Sequence, residues 1–230
     1  LEVIIINDGS NDGSAKICEE YAKKYHWIRV IHKKNEGLGY ARNSGLDLVT
    51  GRYIFFLDGD DYLLPDQIQN MYDAIIDNKA DTCLTGHTRV YAKSKVEFSH
   101  ACVGQTYEGT KIRQELLPRM CGKKNDGTDS IEMSVCTAMF SYDLIQKNQI
   151  RFHSEREFIS EDIIFDFDYY PLSKKVCVSN SVGYCYCDNE GSLTTKYLLN
   201  RFDMQKKLTK ELLLRSKDLD IYELCKDRIA

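Results

Sequence analysis

The chain has 230 residues, enough to bury a substantial core as one large domain or as one domain with a smaller appendage. Lysine and arginine total 31 against 35 acidic residues, and the resulting net charge of −4 offers no general attraction for nucleic acid. The sequence contains no run of about 18 apolar residues and no signal-peptide pattern, so a soluble protein is expected.

Leu1 to Ile6 is a β-branched run and predicts a strand, followed by the polar turn Asn7-Asp8-Gly9-Ser10-Asn11-Asp12-Gly13-Ser14. Cys18, Tyr21, Ala22 and Tyr25 then recur at helical spacing, with Asp12 or Ser14 placed to cap the helix start. The spacing of Asp8, Ser10, Asp12, Gly13 and Glu19 comes close to a calcium-binding helix-loop-helix. Such a loop needs an incoming helix, and a β-branched run stands there instead. Ile28 to Ile31 predicts a second strand, His32 to Gly39 a loop and Tyr40 to Val49 a helix. The alternation of strand and helix predicts a parallel, doubly wound sheet whose Asp8 and Asp58 turns open on one edge.

Tyr53 to Leu57 is fully apolar, as suits a strand covered on both faces, and it stops at Asp58-Gly59-Asp60-Asp61. Ligands of open α/β sheets gather beyond the carboxyl ends of the strands. Asp58 and Asp60 can offer hard oxygens to Mg²⁺ or Mn²⁺, which commonly bridge to phosphates; a solvated acidic turn is the plainer alternative. Pro65-Asp66 predicts a helix start with Ile68, Met71, Tyr72, Ile75 and Ile76 on its apolar face. Asp81 to Val90 and Lys95 to Phe98 predict strands, and Lys111 to Met120 a helix. Gly122 to Ser130 is a polar loop, a lid or simply solvated chain.

Beyond it, Val135 to Phe140 resumes the core and Tyr142 to Lys147 predicts a short helix. Glu161-Asp162 heads a helix anchored by Ile163, Ile164 and Phe167; the pair either supplies a catalytic base or complements the helix dipole. Val176 to Val178 and Val182 to Cys187 predict strands joined by a turn at 179–181, and a further turn follows at 189–192. Arg201 to Arg215 predicts a helix with Phe202, Met204, Leu208 and Leu212 partly clustered. It covers its own domain or a homodimer seam, with an anionic membrane surface as the other reading. Nine cysteines without paired C-x-x-C spacing read as reduced, cytosolic thiols, and Cys185-Tyr186-Cys187 as strand thiols rather than a metal site.

Four segments in this order, the Asn7–Ser14 turn, Asn35-Glu36-Gly37-Leu38-Gly39-Tyr40-Ala41-Arg42-Asn43, Phe56-Leu57-Asp58-Gly59-Asp60-Asp61 and Glu161-Asp162, resemble the family 2 inverting glycosyltransferases of GT-A fold. The resemblance extends over residues 1 to about 165. It implies a GT-A-like, doubly wound, mostly parallel sheet with a C-terminal helical appendage. The expected division is a domain over 1–195, with a nucleotide-sugar half at 1–90 and an acceptor half at 91–195, and a helical segment at 196–230. It further implies a nucleotide-diphosphate sugar donor, a carbohydrate or lipid-linked glycan acceptor, and a Mn²⁺ or Mg²⁺ cofactor. By the same resemblance Asp8 matches a base- or ribose-binding acid, and Asn35, Gly37 and Arg42 fall in a donor-binding segment. Asp58 and Asp60 match the metal-binding D-x-D, Asp58 also on the donor, and Asp162 matches the general base with Glu161 beside it. Many members act in surface polysaccharide or glycolipid synthesis at the cytoplasmic face of a membrane, which implies a cytoplasmic protein, peripheral on that face.

Two departures qualify the match. Family members begin with a further strand and helix of roughly 30 residues that contributes to the nucleotide pocket, and it is absent here, so weaker nucleotide binding is expected. Relatives often carry a basic residue where Cys187 and Asp188 stand, which removes an expected phosphate contact. Two other classes share some of these features: a non-catalytic sugar-nucleotide or carbohydrate binding module, and the aspartate-nucleophile phosphatases. The latter usually place Thr or Val where this chain has Tyr62.

Overall fold

The computed structural model describes residues 1–122, 129, 131–189 and 199–229. Most of the loop expected at 122–130 and most of the turn expected at 189–192 therefore lie outside the described residues. The first unit is strand–helix–strand: β1 (Val3–Asn7), α1 (Ser14–Lys24) and β2 (Ile28–His32), with β1 and β2 parallel in register Val3 to Ile28. Among the described residues these two strands form a sheet of their own. α1 buries none of its residues; its intended apolar face leaves Tyr21 52% exposed. Tyr21, Tyr25 and Trp27 run as a chain of rings along this unit, Tyr25 and Trp27 with centroids 5.3 Å apart. Gly13, not Asp12 or Ser14, is the cap residue, while Asp12 Oδ1 accepts from the Ser14 amide at 2.9 Å.

α2 (Leu38–Leu46) leads to β3 (Tyr53–Phe55), which is shorter than the strand expected to run to Leu57. Phe56 is buried, but Leu57 is 49% exposed, because the chain leaves the sheet there to form the acidic turn. β4 (Tyr62–Leu63) precedes α3 (Gln67–Asn78). Asp66 sits at φ 67 in the left-handed region, so Pro65 lies outside the helix. Met71 and Ile75 carry the burial of α3, and Tyr72 and Ile76 stay exposed. The single strand expected over 81–90 is two strands, β5 (Thr82–Leu84) and β6 (His87–Val90), in different sheets. Gly86 makes the crossing possible, since a Cβ there would run into the Phe98 carbonyl oxygen.

β7 (Lys95–Phe98) pairs with β6, and β8 (Thr106–Glu108), a strand the sequence pattern did not suggest, pairs with the later strand β10 (Lys175–Val178). A π-helical turn at Ile112–Leu116 runs into α4 (Leu117–Met120). Then follow β9 (Ala138–Ser141), α5 (Tyr142–Lys147), α6 (Glu161–Tyr169), β10 (Lys175–Val178), β11 (Tyr184–Cys187), α7 (Arg201–Asp218) and α8 (Tyr222–Ile229). A central sheet of order β3-β9-β5-β10-β8 and a second of order β4-β11-β6-β7 are both mixed, so the α/β class holds, but antiparallel pairs outnumber parallel ones in each, where a mostly parallel sheet was expected.

The main core fills the space between the central sheet, α6 and the C-terminal helices. Leu208, Leu212, Ile221, Cys225 and Ile229 belong to the same cluster as Phe140, Phe152 and Phe165, so 196–230 is packed into this core as far as it is described. Phe202, expected on the packed face of α7, is 78% exposed, because the buried stripe is Met204, Leu208, Leu212 and Ser216. The nine cysteines are free thiols, and Cys185 lies buried in β11.

Candidate active site

The acidic turn after β3 and the first turn of α6 meet across a cleft of about 650 Å³ lined by Arg42, Asp58, Asp60, Glu161 and Asp162. α6 is positioned by an aromatic nest: Phe152 stacks on Phe165 with centroids 4.2 Å apart, and Phe140 meets Tyr169 edge-on at 4.8 Å. Rings packed this closely hold the helix start in one place. The acidic turn is fixed from the other side by Asp61, which accepts from the Tyr184 hydroxyl and, at 2.8 Å, from the Cys187 amide.

Arg42, on α2, joins the two. Its guanidinium donates to Glu161 Oε1 at 2.6 Å and to Asp58 Oδ1 at 3.0 Å, and its side chain is only 9% exposed. It also lies 5.3 Å from the Phe152 ring centre. Its forks are therefore committed to two carboxylates. Burial opposes its charge, yet Asp58, Cys136 and Glu161 outweigh that effect and keep the guanidinium protonated. Burial and then Asp162 push Glu161 up to about 7, against the pull of Arg42. Burial likewise raises Asp162, with Arg42 opposing. One turn further along α6, burial raises Asp166 well above its ordinary value, and its Oδ1 has no hydrogen-bond partner in the structure.

Glu161 and Asp162 diverge as adjacent helical residues must: Glu161 turns inward to Arg42, at 5% exposed, while Asp162 lies half-buried on the cleft wall with Oδ1 accepting from the Ile163 amide at 3.0 Å. Asp60 is exposed at the mouth, where its Oδ2 accepts from Asn189 at 3.2 Å. Among the described residues no three His, Cys, Asp or Glu side chains converge as a metal cage.

Asp8, Asn35 and Gly37 come together beside the cleft rather than on its lining. The Asp8 carboxylate accepts from the amides of Glu36 and Gly37, the latter at 2.7 Å, and the Asn35 side chain donates to the Asp8 carbonyl at 2.7 Å. Gly37, at φ 102, opens α2, whose Gly39 amide donates to Glu155 at 3.2 Å. Asn43 fastens the same helix to the 152–157 loop, its amide group exchanging hydrogen bonds of 2.9 and 2.8 Å with the Phe152 backbone. A Cβ at Gly39 would strike the His153 carbonyl oxygen. Gly39→Ala is therefore expected to cost about 1–3 kcal/mol of stability, read as a lower thermal midpoint; an unchanged midpoint would show that α2 is not seated against this loop.

The far wall is formed by residues that sequence reasoning missed: His87 and Arg89 on β6, Tyr184 and Tyr186 on β11, and Arg201, Met204 and Gln205 on α7. Arg89 lies between Tyr91 and Tyr186, 5.3 and 5.6 Å from their ring centres, and pairs with Asp188 at 3.3 Å. No local pattern marks these positions, because β6, β11 and α7 meet only through the tertiary fold.

The family model described as Glycosyl transferase family 2 matches residues 1–147. Glycosyltransferase GlyA of Streptococcus pneumoniae is 27% identical over 198 residues, spanning 84% of this chain and 27% of its own length. Among solved structures, S. aureus TarS 1–349 in complex with UDP-GlcNAc superimposes with a TM-score of 0.71 at 20% identity, covering 96% of this chain and 62% of TarS 1–349. A mannosyltransferase of Pyrobaculum calidifontis in complex with GDP-Man and Mn²⁺ gives a TM-score of 0.54 at 13% identity, over 95% of this chain and 54% of that one. This chain thus spans less than two thirds of the length of these proteins.

Proposed function

On the premise that this chain belongs to glycosyl transferase family 2, we propose that it moves a sugar from a nucleotide-diphosphate sugar to a hydroxyl of a carbohydrate or lipid-linked glycan, inverting the anomeric centre. The observation that carries this reading is the meeting of the D-x-D carboxylates with Asp162 in one cleft, where Arg42 bridges Asp58 to Glu161, the neighbour of Asp162. Residues 1–90 are assigned to the donor and 91–195 to the acceptor, with the start of α7 closing the acceptor side.

Asp162 is the general base. Its carboxylate faces the cleft, and burial makes it a better proton acceptor than a solvated aspartate. It takes the proton of the acceptor hydroxyl as the oxygen forms its bond to the anomeric carbon, and the electron pair of the breaking bond leaves on the nucleoside diphosphate. Glu161, spent on Arg42, is a positioning residue: it fixes the helix start from which Asp162 projects. Arg42 in turn sets Asp58, and Asp8 shapes the 35–37 loop beside the donor half.

Asp60 at the mouth and Asp58, with one oxygen on Arg42, form a hard, all-oxygen donor pair that fits Mg²⁺ or Mn²⁺, with phosphate and water oxygens to complete the shell. When bound, such an ion supplies Lewis-acid stabilisation of the departing diphosphate. Nucleotide binding is expected to need the cation, because a diphosphate beside Asp58 and Asp60 otherwise brings like charges together. Calorimetric titration of UDP and GDP in Mn²⁺ and in excess chelator checks this; equal affinities, or full affinity in Asp60→Ala, would remove the metal assignment. The reading as a whole is tested by incubation with a panel of nucleotide sugars and Mn²⁺, scored by nucleoside diphosphate release. Hydrolysis of simple phosphate esters without any sugar nucleotide would favour the aspartate-nucleophile phosphatases instead.

A further inference from the structure

Nine free thiols are spread along this chain, and among the described residues none of them lines the cleft. Cys121 and Cys225 are set apart by being in contact with one another and reached from outside. Cys121 directly follows α4 and Cys225 lies within α8, 104 positions later, with their Sγ atoms 3.6 Å apart. Cys225 is buried, whereas Cys121 is only half-buried and opens a way to the pair. Cys83 and Cys177, opposite one another in β5 and β10, also touch, but at 0% and 2% exposed they are shut within the central sheet.

An approach of about 1.5 Å brings two sulfurs at this separation to the disulfide length of about 2.0 Å, a shift on the scale of a side-chain torsion change. Charge favours the step as well. Arg228, one turn after Cys225 on α8, donates to the carbonyl of Gly122, the residue next to Cys121, at 3.0 Å, and grips the Asp129 carboxylate with both forks at 2.7 and 3.1 Å. Its guanidinium is thereby held beside both sulfurs, where a cation favours thiolate. The hydrogen bond from Cys121 and, against burial, the charge of Arg228 hold Cys225 below its ordinary value.

We propose that Cys121 and Cys225 are a redox-sensitive pair that closes into a disulfide in the folded protein, fastening α8 to the end of α4. The co-reactant is a small disulfide such as oxidised glutathione. Cys121, the accessible sulfur, attacks one sulfur of the oxidant as thiolate and releases the first glutathione; Cys225 then attacks Cys121 Sγ in the mixed disulfide and expels the second. Two protein thiols are oxidised, one small disulfide is reduced to two thiols, and the two protein protons end on the departing sulfurs. Both ends of the new bond lead to the cleft. The chain runs on from α4 to Glu132, Met133 and Ser134 on the lining, and α8 follows α7, whose first turn supplies Arg201, Met204 and Gln205. Oxidation therefore ties covalently two parts of the wall that packing and Arg228 otherwise hold. The inference does not rest on the proposed sugar transfer.

Incubation of the folded protein with excess oxidised glutathione, followed by alkylation, intact mass and peptide mapping, tests it. The loss of two hydrogens and a peptide joining Cys121 to Cys225 are expected, with Cys83 and Cys177 still reduced. A cross-link between residues this far apart restricts the unfolded chain, so the thermal midpoint should rise by several degrees and return on addition of dithiothreitol. Cys225→Ala should stop at the mixed disulfide, with one glutathione on Cys121, and Cys121→Ser should give no cross-link; neither should gain midpoint on oxidation. Each variant is compared with its own reduced form, so any stability lost to the substitution does not enter. Thiols at 121 and 225 that both stay free, a link from either to another cysteine, a link that forms only in urea, or a link that leaves the midpoint where it was would overturn the proposal. These measurements use no nucleotide sugar, so their outcome is independent of the transferase reading.

Discussion

Asp162→Asn should turn over at least about 10²-fold more slowly than the parent while binding nucleotide with nearly the same affinity. The substitution keeps size and the hydrogen bond to the Ile163 amide but removes the proton acceptor from the cleft wall. Glu161→Gln is the informative companion. Its carboxylate is locked on Arg42, so the change should weaken the helix start and lower stability more than it lowers the chemical step. Steady-state kinetics and nucleotide titration on both variants decide the assignment. An active Asp162→Asn enzyme beside a dead but nucleotide-binding Glu161→Gln would transfer the role to Glu161. The pH profile carries a sign as well. A base must be unprotonated, and burial raises Asp162 above the ordinary aspartate range, so kcat should rise with pH through an apparent pKa higher than that of a solvated aspartate.

Replacing Arg42 by methionine should be the most damaging single change to the fold near the site. It leaves Glu161 buried without its cation and deprives the cleft-lining Asp58 of the same partner, and breaking a buried pair from one side typically costs about 3–5 kcal/mol. Arg42→Lys should recover only part of that loss, since one ammonium cannot serve two carboxylates with a planar fork. The deficit should depend on pH in a stated direction. Without the guanidinium, burial and Asp162 both raise Glu161, and a carboxyl whose folded pKa exceeds its unfolded one binds more protons when folded. Its stabilising share is then present below about pH 4.3 and lost as pH rises through the folded value. Urea unfolding of the Arg42→Met variant should therefore show a smaller deficit near about pH 5 than near about pH 8; a deficit that grows on acidification would mean that the pair is not the source of the loss.

The parts of the fold that local pattern controls were legible in the sequence. β1, α1, β2 and α2 follow from a β-branched run, a helical period and their turns, and the acidic residues after β3 stand where strand ends predict. What escaped was set by distance in the chain. Nothing within 81–90 announces that the chain changes sheets, because a strand period looks the same in either sheet and only the approach of Phe98 to Gly86 explains the break. β8 is three residues long and finds its partner in β10, far along the sequence. Phe202 lies off the packed face of α7, and its apolar neighbours in the sequence hide which four-residue stripe meets the core. In the site, Asp58, Asp60 and the Glu161-Asp162 pair could be nominated from carboxylates at element ends. That Arg42 would spend both forks on Asp58 and Glu161 depends on residues 16 and 119 positions away, beyond any local reading.

The single tryptophan gives the molecule an optical reporter of a restricted kind. Trp27 lies at the junction of α1 and β2, 37% exposed and in contact with Tyr25, in the unit whose two strands pair only with each other among the described residues. The aromatic nest beneath α6 contains phenylalanine and tyrosine alone. Excitation of tryptophan therefore follows the loosening of the strand–helix–strand unit, while tyrosine absorbance, with rings in both places, follows the whole, and any gap between the two signals measures how independently the two parts of the protein come apart.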